Sequence, residues 1–121
     1  MAQNIVADKS YVFALSIINV FRFMVSEHRE YVLSKQLLRS GTAVGALIRE
    51  AEHAQSNADF VHKMSISLKE ANETLYWLRL LRDSGYLPAN EYDRLFPAAE
   101  ELVRLLVSIV KTMKRRLKAN C

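Results

Sequence analysis

Residues 34–83 constrain the fold most, because their apolar and small side chains recur at gaps of three and four residues. Such spacing marks one face of an α-helix. We predict two helices that fold back on each other near Ser56, so that positions equally distant from Ser56 face each other. Four pairs of residues meet this condition: Ile48 with Met64, Val44 with Leu68, Gly41 with Ala71, and Leu37 with Leu75.

The same register accounts for several polar residues of this hairpin. It places Arg39 near Glu73, which predicts an ion pair between the two helices. Ser56 and Asp59 suit the start of the second helix, because the Ser56 hydroxyl accepts from a free backbone N–H and Asp59 favours the positive helix end. The turn chemistry therefore agrees with the apolar spacing.

Two glycines inside the first of these helices need a compensating role. Gly41 and Gly45 each cost roughly 1 kcal/mol relative to alanine in a helix interior. Close packing of a neighbouring helix is the interpretation we favour, and contact with a ligand is the alternative.

Three blocks of this region carry a resemblance to a known family. They read QLLRSGTAVGALIREA at residues 36–51, AQSNADF at residues 54–60, and SLKEANET followed by YWL within residues 67–78. In this order they resemble the 23S rRNA intervening-sequence protein family, also called the four-helix bundle protein family, over roughly residues 8–118. Leu47 departs from the family pattern, since many members carry Asn there.

The resemblance implies a small bacterial cytoplasmic four-helix bundle that forms a ring-shaped homo-oligomer, a pentamer, without a defined biochemical activity. It also relates the chain to the accessory protein of diversity-generating retroelements, which shares the bundle and associates with nucleic acid and a reverse transcriptase.

The length and the small number of turn-forming residues also favour helices. A chain of 121 residues with three Gly and two Pro suits one all-α domain. We predict an up-down-up-down left-handed four-helix bundle over residues 8–119 and a disordered N-terminal end over residues 1–7. The chain should reverse at residues 31–33, the third helix should end at a left-handed Gly85, and the last helix should be kinked or broken near Pro97.

The first helix carries more apolar side chains than a single helix face can bury against its neighbours. We therefore expect other copies of the chain to cover part of it, with burial inside one bundle as the alternative. Its charge-free run, residues 10–21, is shorter than the about 20 residues of a membrane span, and Asp8 and Asn19 argue against a signal peptide. We expect no membrane partner.

The only cysteine, Cys121, excludes an intramolecular disulfide and is compatible with a reducing compartment.

Positive charge is concentrated at the C-terminal end. Residues 102–121 contain no acidic residue and six basic ones: Arg104, Lys111, Lys114, Arg115, Arg116 and Lys118. Four of the six recur along one helix face, namely Arg104, Lys111, Arg115 and Lys118, and Lys114 lies beside that face. Such a face suits phosphate backbones, and the alternative is a solvated helix end whose cations complement the helix dipole. Tyr76 and Trp77 suit stacking on bases or, as we favour, packing beside the core.

Enzymatic interpretations receive little support. Two carboxylate-x-x-histidine pairs have the spacing of di-iron bundles, Glu50 with His53 and Asp59 with His62. Both pairs point away from the predicted contact between the two helices and lie close to the turn near Ser56. The spacing of Arg22 and His28 is permitted in an all-helical type of nuclease, but such a two-residue signal arises easily by chance. We predict a protein without catalytic residues, cofactor or metal.

The leading hypothesis is a non-enzymatic, cytoplasmic, oligomeric bundle that binds the backbone of RNA or DNA through its last helix and acts as an accessory factor. The alternative is a protein-interaction scaffold that binds a partner protein and has no nucleic-acid role.

Overall fold

The structure is a computed structural model that describes the backbone of residues 2–119 and the side chains of residues 4–119. Four α-helices follow each other: α1 (Ala2–His28), α2 (Val32–Glu52), α3 (Asn57–Asp83) and α4 (Ala89–Ala119). Each helix packs against the next one in the chain, and α1 also packs against α4. The predicted all-α four-helix bundle is therefore confirmed.

The α2–α3 hairpin has the predicted register. Arg39 forms ion pairs with Glu73 and, at 3.2 Å, with Glu70, which the sequence had not indicated. Near the turn, Lys63 Nζ lies 3.1 Å from Glu50 Oε1. These contacts join residues that are separated from Ser56 by nearly equal numbers of residues along the chain, so the two helices are antiparallel. The buried Ser67 hydroxyl also donates to the main-chain carbonyl of Val44, at 2.9 Å.

Helix α1 is antiparallel to α4. Lys9 Nζ lies 3.2 Å from Glu101 Oε2, and farther along α1 the Ser16 hydroxyl accepts from Arg94 at 3.4 Å. The partner on α4 has a lower residue number when the partner on α1 has a higher one, as expected for antiparallel helices. Together with the α2–α3 hairpin and the short connections, this pairing gives the up-down-up-down topology. The left-handed supercoil remains a prediction.

The two glycines of α2 allow α1 to approach closely. A Cβ added to Gly41 would lie 2.9 Å from Cγ1 of Ile17, and a Cβ added to Gly45 would lie 3.2 Å from the Ser10 hydroxyl. The packing interpretation is confirmed, although Gly41 meets Ile17 of α1 more closely than the Ala71 with which the hairpin register paired it.

The connections follow the sequence signals in part. Gly85 has φ +88° and ends α3 as predicted, and the Ser56 hydroxyl accepts from the Asp59 N–H at 3.0 Å at the start of α3. The first reversal lies at residues 29–31, earlier than the predicted 31–33, because Arg29 adopts a left-handed φ of 51°. The carboxylate of Glu30 then accepts from the three N–H groups of residues 32–34 at 2.8–2.9 Å and so caps α2.

The predicted start of the first helix is wrong. Helix α1 begins at Ala2, so residues 2–7 are not the predicted disordered end, and Met1 lies outside the described residues. The reason is that Val6 is fully buried in the core and extends the packed face of α1 by a further turn.

Helix α4 continues through Pro97, so of the two predicted alternatives, a kink or a break, the break is absent. Leu95 and Ala99 on either side are buried and hold both halves against the bundle, while Pro97 itself is exposed. A bend of the helix axis at Pro97 remains a prediction.

Helix α1 has one face in the core and another in solvent. Its buried face includes Phe13, Ile17 and Met24, whereas Tyr11 and Val12 are 67% and 62% exposed. By length and composition alone, the stretch Asn4–His28 would suffice to cross a membrane, although charge-free residues 10–21 would not. A helix whose apolar face packs into a bundle core meets the same criterion, so this stretch is weak evidence for a membrane span.

Candidate nucleic-acid interface

Residues 104–119 of α4, which we call the basic tail, display all the predicted phosphate-binding side chains to solvent. Every one of the six cations is exposed: Arg104, Lys111, Lys114, Arg115, Arg116 and Lys118. Among residues 4–119, no carboxylate is within salt-bridge distance of any of them. The positive charge of the basic tail is therefore not neutralised by the described part of the chain.

The basic tail is exposed because α1 does not reach its end. Lys9 of α1 is level with Glu101 of α4. Since two antiparallel α-helices rise equally per residue, Ala2 is level with about residue 108. Beyond that level the tail packs beside the α2–α3 turn and the start of α3, where Met113 lines a depression with Asn57 and Phe60.

The cations of the tail cover more than one side of the helix. Successive residues turn by about 100°, so Lys114 and Arg116 lie about 160° apart around the axis. Lys111 and Arg115 lie on the wider, solvent-facing arc between them. The opposite arc packs against the bundle, with apolar side chains that are buried or half-buried: Ile109, Val110, Met113 and Leu117.

The positive face has a sharp limit along α4. Asp93 and Glu100 are exposed and precede Arg104 on the same face of the helix. A polyanion that follows the cations toward the N-terminal end of α4 would therefore meet negative charge within about one turn of Arg104.

The helix dipole explains only part of this charge. Its effect falls off within the last turn, where α4 carries Arg116 and Lys118. Lys111 lies two turns before Ala119, and Arg104 lies farther away. The interpretation of the cations as a simple complement to the helix end thus accounts for two of the six.

Tyr76 and Trp77 have different surroundings. The indole of Trp77 packs against the core and donates from Nε1 to Glu73 at 3.0 Å, so the packing interpretation is confirmed for this residue. Tyr76 is 59% exposed, and its ring meets the edge of Trp77 with 5.1 Å between ring centroids. Packing beside the core is therefore wrong for Tyr76, because its position on α3 faces solvent.

The carboxylate-x-x-histidine residues are engaged separately. The carboxylate of Glu50 pairs with Lys63, and that of Asp59 accepts from the backbone N–H of Gln55 at 3.3 Å. His53 and His62 are exposed. Among the described residues, no three His, Cys, Asp or Glu side chains converge as a metal site would require.

At the opposite end of the bundle, the exposed His28 has two aromatic neighbours. Its ring packs edge-on against Phe23 and Tyr86, with centroid distances of 6.1 and 5.5 Å. Arg22 is exposed on α1 and makes no described hydrogen bond or ion pair. The two rings that contact His28 therefore come from α1 and from the connection between α3 and α4.

The sequence from residue 2 to residue 108 matches the model of a family described as 23S rRNA-intervening sequence protein. The chain belongs to this family. Its matched residues end before five of the six cations, so the family assignment depends on the bundle and not on most of the basic tail.

A solved structure supports the same assignment. It is the 1.70 Å crystal structure of a protein of unknown function from the S23 ribosomal protein family of Bacteroides thetaiotaomicron VPI-5482. The two chains share 52% identity and a TM-score of 0.89, over 92% of this chain and 99% of that chain. No curated protein matches this chain.

Proposed function

We propose that this protein is a non-enzymatic, cytoplasmic accessory factor that binds the phosphate backbone of nucleic acid through the basic tail. The observation that supports this function is the exposure of all six cations without a carboxylate partner among the described residues. The family description, which refers to a sequence within 23S rRNA, agrees with a nucleic-acid role.

The expected binding is electrostatic and insensitive to base sequence. Lysine and arginine side chains contact phosphate oxygens, and displaced counterions make such binding weaken with salt. The tail carries no Asn or Gln among its described residues to pair with adenine edges, and we assign its Lys and Arg side chains to phosphates and not to guanine edges. The protein should therefore position itself on the polynucleotide without selecting a base sequence.

The direct test reverses the charge of three basic side chains of the tail. A variant with Lys111→Glu, Arg115→Glu and Lys118→Glu should bind a fluorescently labelled RNA or DNA more weakly by over about tenfold at low salt. Fluorescence anisotropy, repeated at several salt concentrations, measures both the affinity and its salt dependence.

A matched control carries the same change of net charge elsewhere. Lys35, Lys69 and Arg79 are exposed on α2 and α3 and make no described ion pair. Their replacement by Glu should leave most of the binding intact. Equal losses in the two variants would show that net charge, and not the basic tail, governs binding, and the proposal would fail.

We also propose that copies of the chain associate through the exposed apolar face of α1, with the pentamer as the expected assembly. Leu15 is 48% and Ile18 is 37% exposed, and with Tyr11 they form a stripe at helical spacing. Apolar stripes of this kind are costly in solvent and mark protein interfaces. A ring would bring several basic tails together and raise the local positive potential.

Sedimentation velocity tests this assembly. Leu15→Glu should shift the protein toward the monomer, whereas Asn72→Glu, an exposed position of α3, should not. A wild-type protein that sediments as a monomer at micromolar concentration would contradict the association.

The α1 face also favours the second candidate function, a scaffold that binds a partner protein. Next to it, Ala7, Gly45 and other small residues line a groove of about 660 Å³ between α1 and α2. If the tail variant and the control bind nucleic acid equally weakly, while Leu15→Glu disrupts a protein complex, the scaffold is the better account.

A further inference from the structure

We infer that the basic tail binds double-stranded nucleic acid, with phosphates of one strand contacting Lys114 and phosphates of the other contacting Arg116. This inference rests on the proposed function and names its substrate class. It follows from three observations: the two-sided display of cations, the absence of stacking side chains, and the acidic limit of the positive face.

The two-sided display requires anions on both flanks of the helix. Lys114 and Arg116 diverge by about 160°, and Lys111 and Arg115 cover the arc between them. One extended strand running along the tail would contact one flank and leave the other cation in water. Two strands that border a groove would contact both flanks at once, because a helix of about 10–12 Å diameter matches a major groove about 12 Å wide.

The tail lacks the side chains that hold single strands. Proteins that bind single-stranded nucleic acid combine basic grooves with aromatic side chains on which bases stack. After Phe96, the described part of α4 contains no Phe, Tyr, Trp or His.

The exposed Tyr76 does not supply the missing platform. The Arg82 guanidinium of α3 lies 4.1 Å from the Tyr92 ring centroid of α4, which fixes the register of these two helices. Tyr76, six residues before Arg82, is therefore level with about residue 98, beyond Glu100 on the acidic side of the limit. A strand bound to the tail would have to pass Glu100 to stack on Tyr76.

The length of the positive face sets the size of the contact. From Arg104 to Lys118 the helix rises about 21 Å. With about 3.4 Å per base pair, this length corresponds to about six base pairs. Since Glu100 repels phosphate, the duplex should leave α4 there and not continue along the bundle.

The test compares four labelled probes of about 20 nucleotides: a DNA duplex, an RNA duplex, oligo-dT and oligo-rU. Anisotropy with the wild-type protein should show at least about tenfold tighter binding of a duplex than of the corresponding single strand. Preference for the DNA duplex would indicate that the tail enters the wide major groove of DNA. Equal binding of both duplexes would indicate that the tail contacts the backbones alone. Either result supports recognition of double strands.

Single substitutions test the two flanks. Lys114→Gln and Arg116→Gln should each reduce the salt slope on the DNA duplex by about 0.9, and their effects on the logarithm of affinity should add. The exposed Lys69→Gln of α3 is the matched control and should change neither quantity. Circular dichroism of each variant checks that helix content is unchanged.

The outcomes separate the inference from the proposed function. Binding of a single strand as tightly as the duplex, or a silent substitution on one flank, would overturn the inference and leave the proposed function intact. No binding of any of the four probes at low salt would overturn both.

Discussion

The contact between α1 and α2 at Gly41 predicts that Gly41→Ala destabilises the protein, although alanine is the better helix former. The added Cβ would lie 2.9 Å from Cγ1 and 3.1 Å from Cγ2 of Ile17. These atoms are close to the backbone of a fully buried, β-branched side chain, which is restricted in its rotamers. Relief of the clash therefore requires the two helices to move apart.

The expected magnitude is a balance of two effects. Overpacking of a core costs typically 1–3 kcal/mol, and the replacement of Gly by Ala in a helix interior gains roughly 1 kcal/mol. The net change in the free energy of unfolding at Gly41 should be a loss of about 1 kcal/mol. For a chain of this length, the melting temperature should fall by about 4 °C.

Gly45→Ala is the matched control, because it lies one turn farther along α2. There the added Cβ would lie 3.2 Å from the Ser10 hydroxyl, a smaller group, and 3.5 Å from its carbonyl oxygen. The helix-propensity gain should offset most of the crowding, and the stability should change by less than about 0.5 kcal/mol.

Chemical denaturation at fixed protein concentration measures both variants, since the proposed self-association would make apparent stability depend on concentration. In an Ile17→Ala background, Gly41→Ala should become neutral or stabilising, with a coupling of about 1 kcal/mol or more. A Gly41→Ala protein that is as stable as the wild type in the native background would refute the close-packing argument.

Three further predictions concern caps and polar contacts. Glu30→Ala should cost about 1–2 kcal/mol in denaturant unfolding because three N–H groups of α2 lose their acceptor, whereas the exposed Glu27→Ala should be neutral. Ser67→Ala should cost about 1 kcal/mol because a buried hydrogen bond between α2 and α3 is lost, and a variant as stable as wild type would contradict this. The Arg82 guanidinium donates to Asp83 at 2.8 Å and lowers the pKa of that carboxyl, so an NMR titration should show this pKa rising toward its ordinary value in Arg82→Gln. Because the folded-state pKa is lowered, the stabilisation is present above the ordinary pKa of Asp83 and is lost as pH falls through the lowered value; an unchanged pKa in Arg82→Gln would contradict the assignment.

The hairpin and its ion pair could be predicted because local signals agreed with each other there. The apolar spacing, the Ser56 cap and the opposite charges of Arg39 and Glu73 all specify one register, and the structure has it. Gly85 could be predicted for a similar reason, since glycine readily adopts a left-handed φ.

The missed features depend on tertiary contacts that spacing does not report. The predicted bundle begins at residue 8, but the burial of Val6 moves the start of α1 to Ala2. The cap by Glu30 requires the left-handed Arg29 before it, and no turn motif in the sequence indicated that conformation. Pro97 suggested a kink or a break, and packing on both sides prevents the break.

The candidate interface was predicted in its composition but not in its shape. The six cations and their exposure followed from the run of basic residues and the apolar stripe opposite. The part of the tail that α1 leaves uncovered depends on the level at which α1 begins relative to α4, and the contacts of Lys9 with Glu101 and of Ser16 with Arg94 establish that level.

The salt dependence of binding tests the central claim, that the basic tail binds phosphate backbones, most directly. Anisotropy titrations of wild-type protein with a labelled DNA duplex, between about 50 and 200 mM salt, give the slope of the logarithm of affinity against the logarithm of salt concentration. We predict a linear decrease with a slope steeper than about −3 per protomer, since several of the six cations displace counterions. No detectable binding at about 50 mM salt, or a slope near zero, would contradict the account.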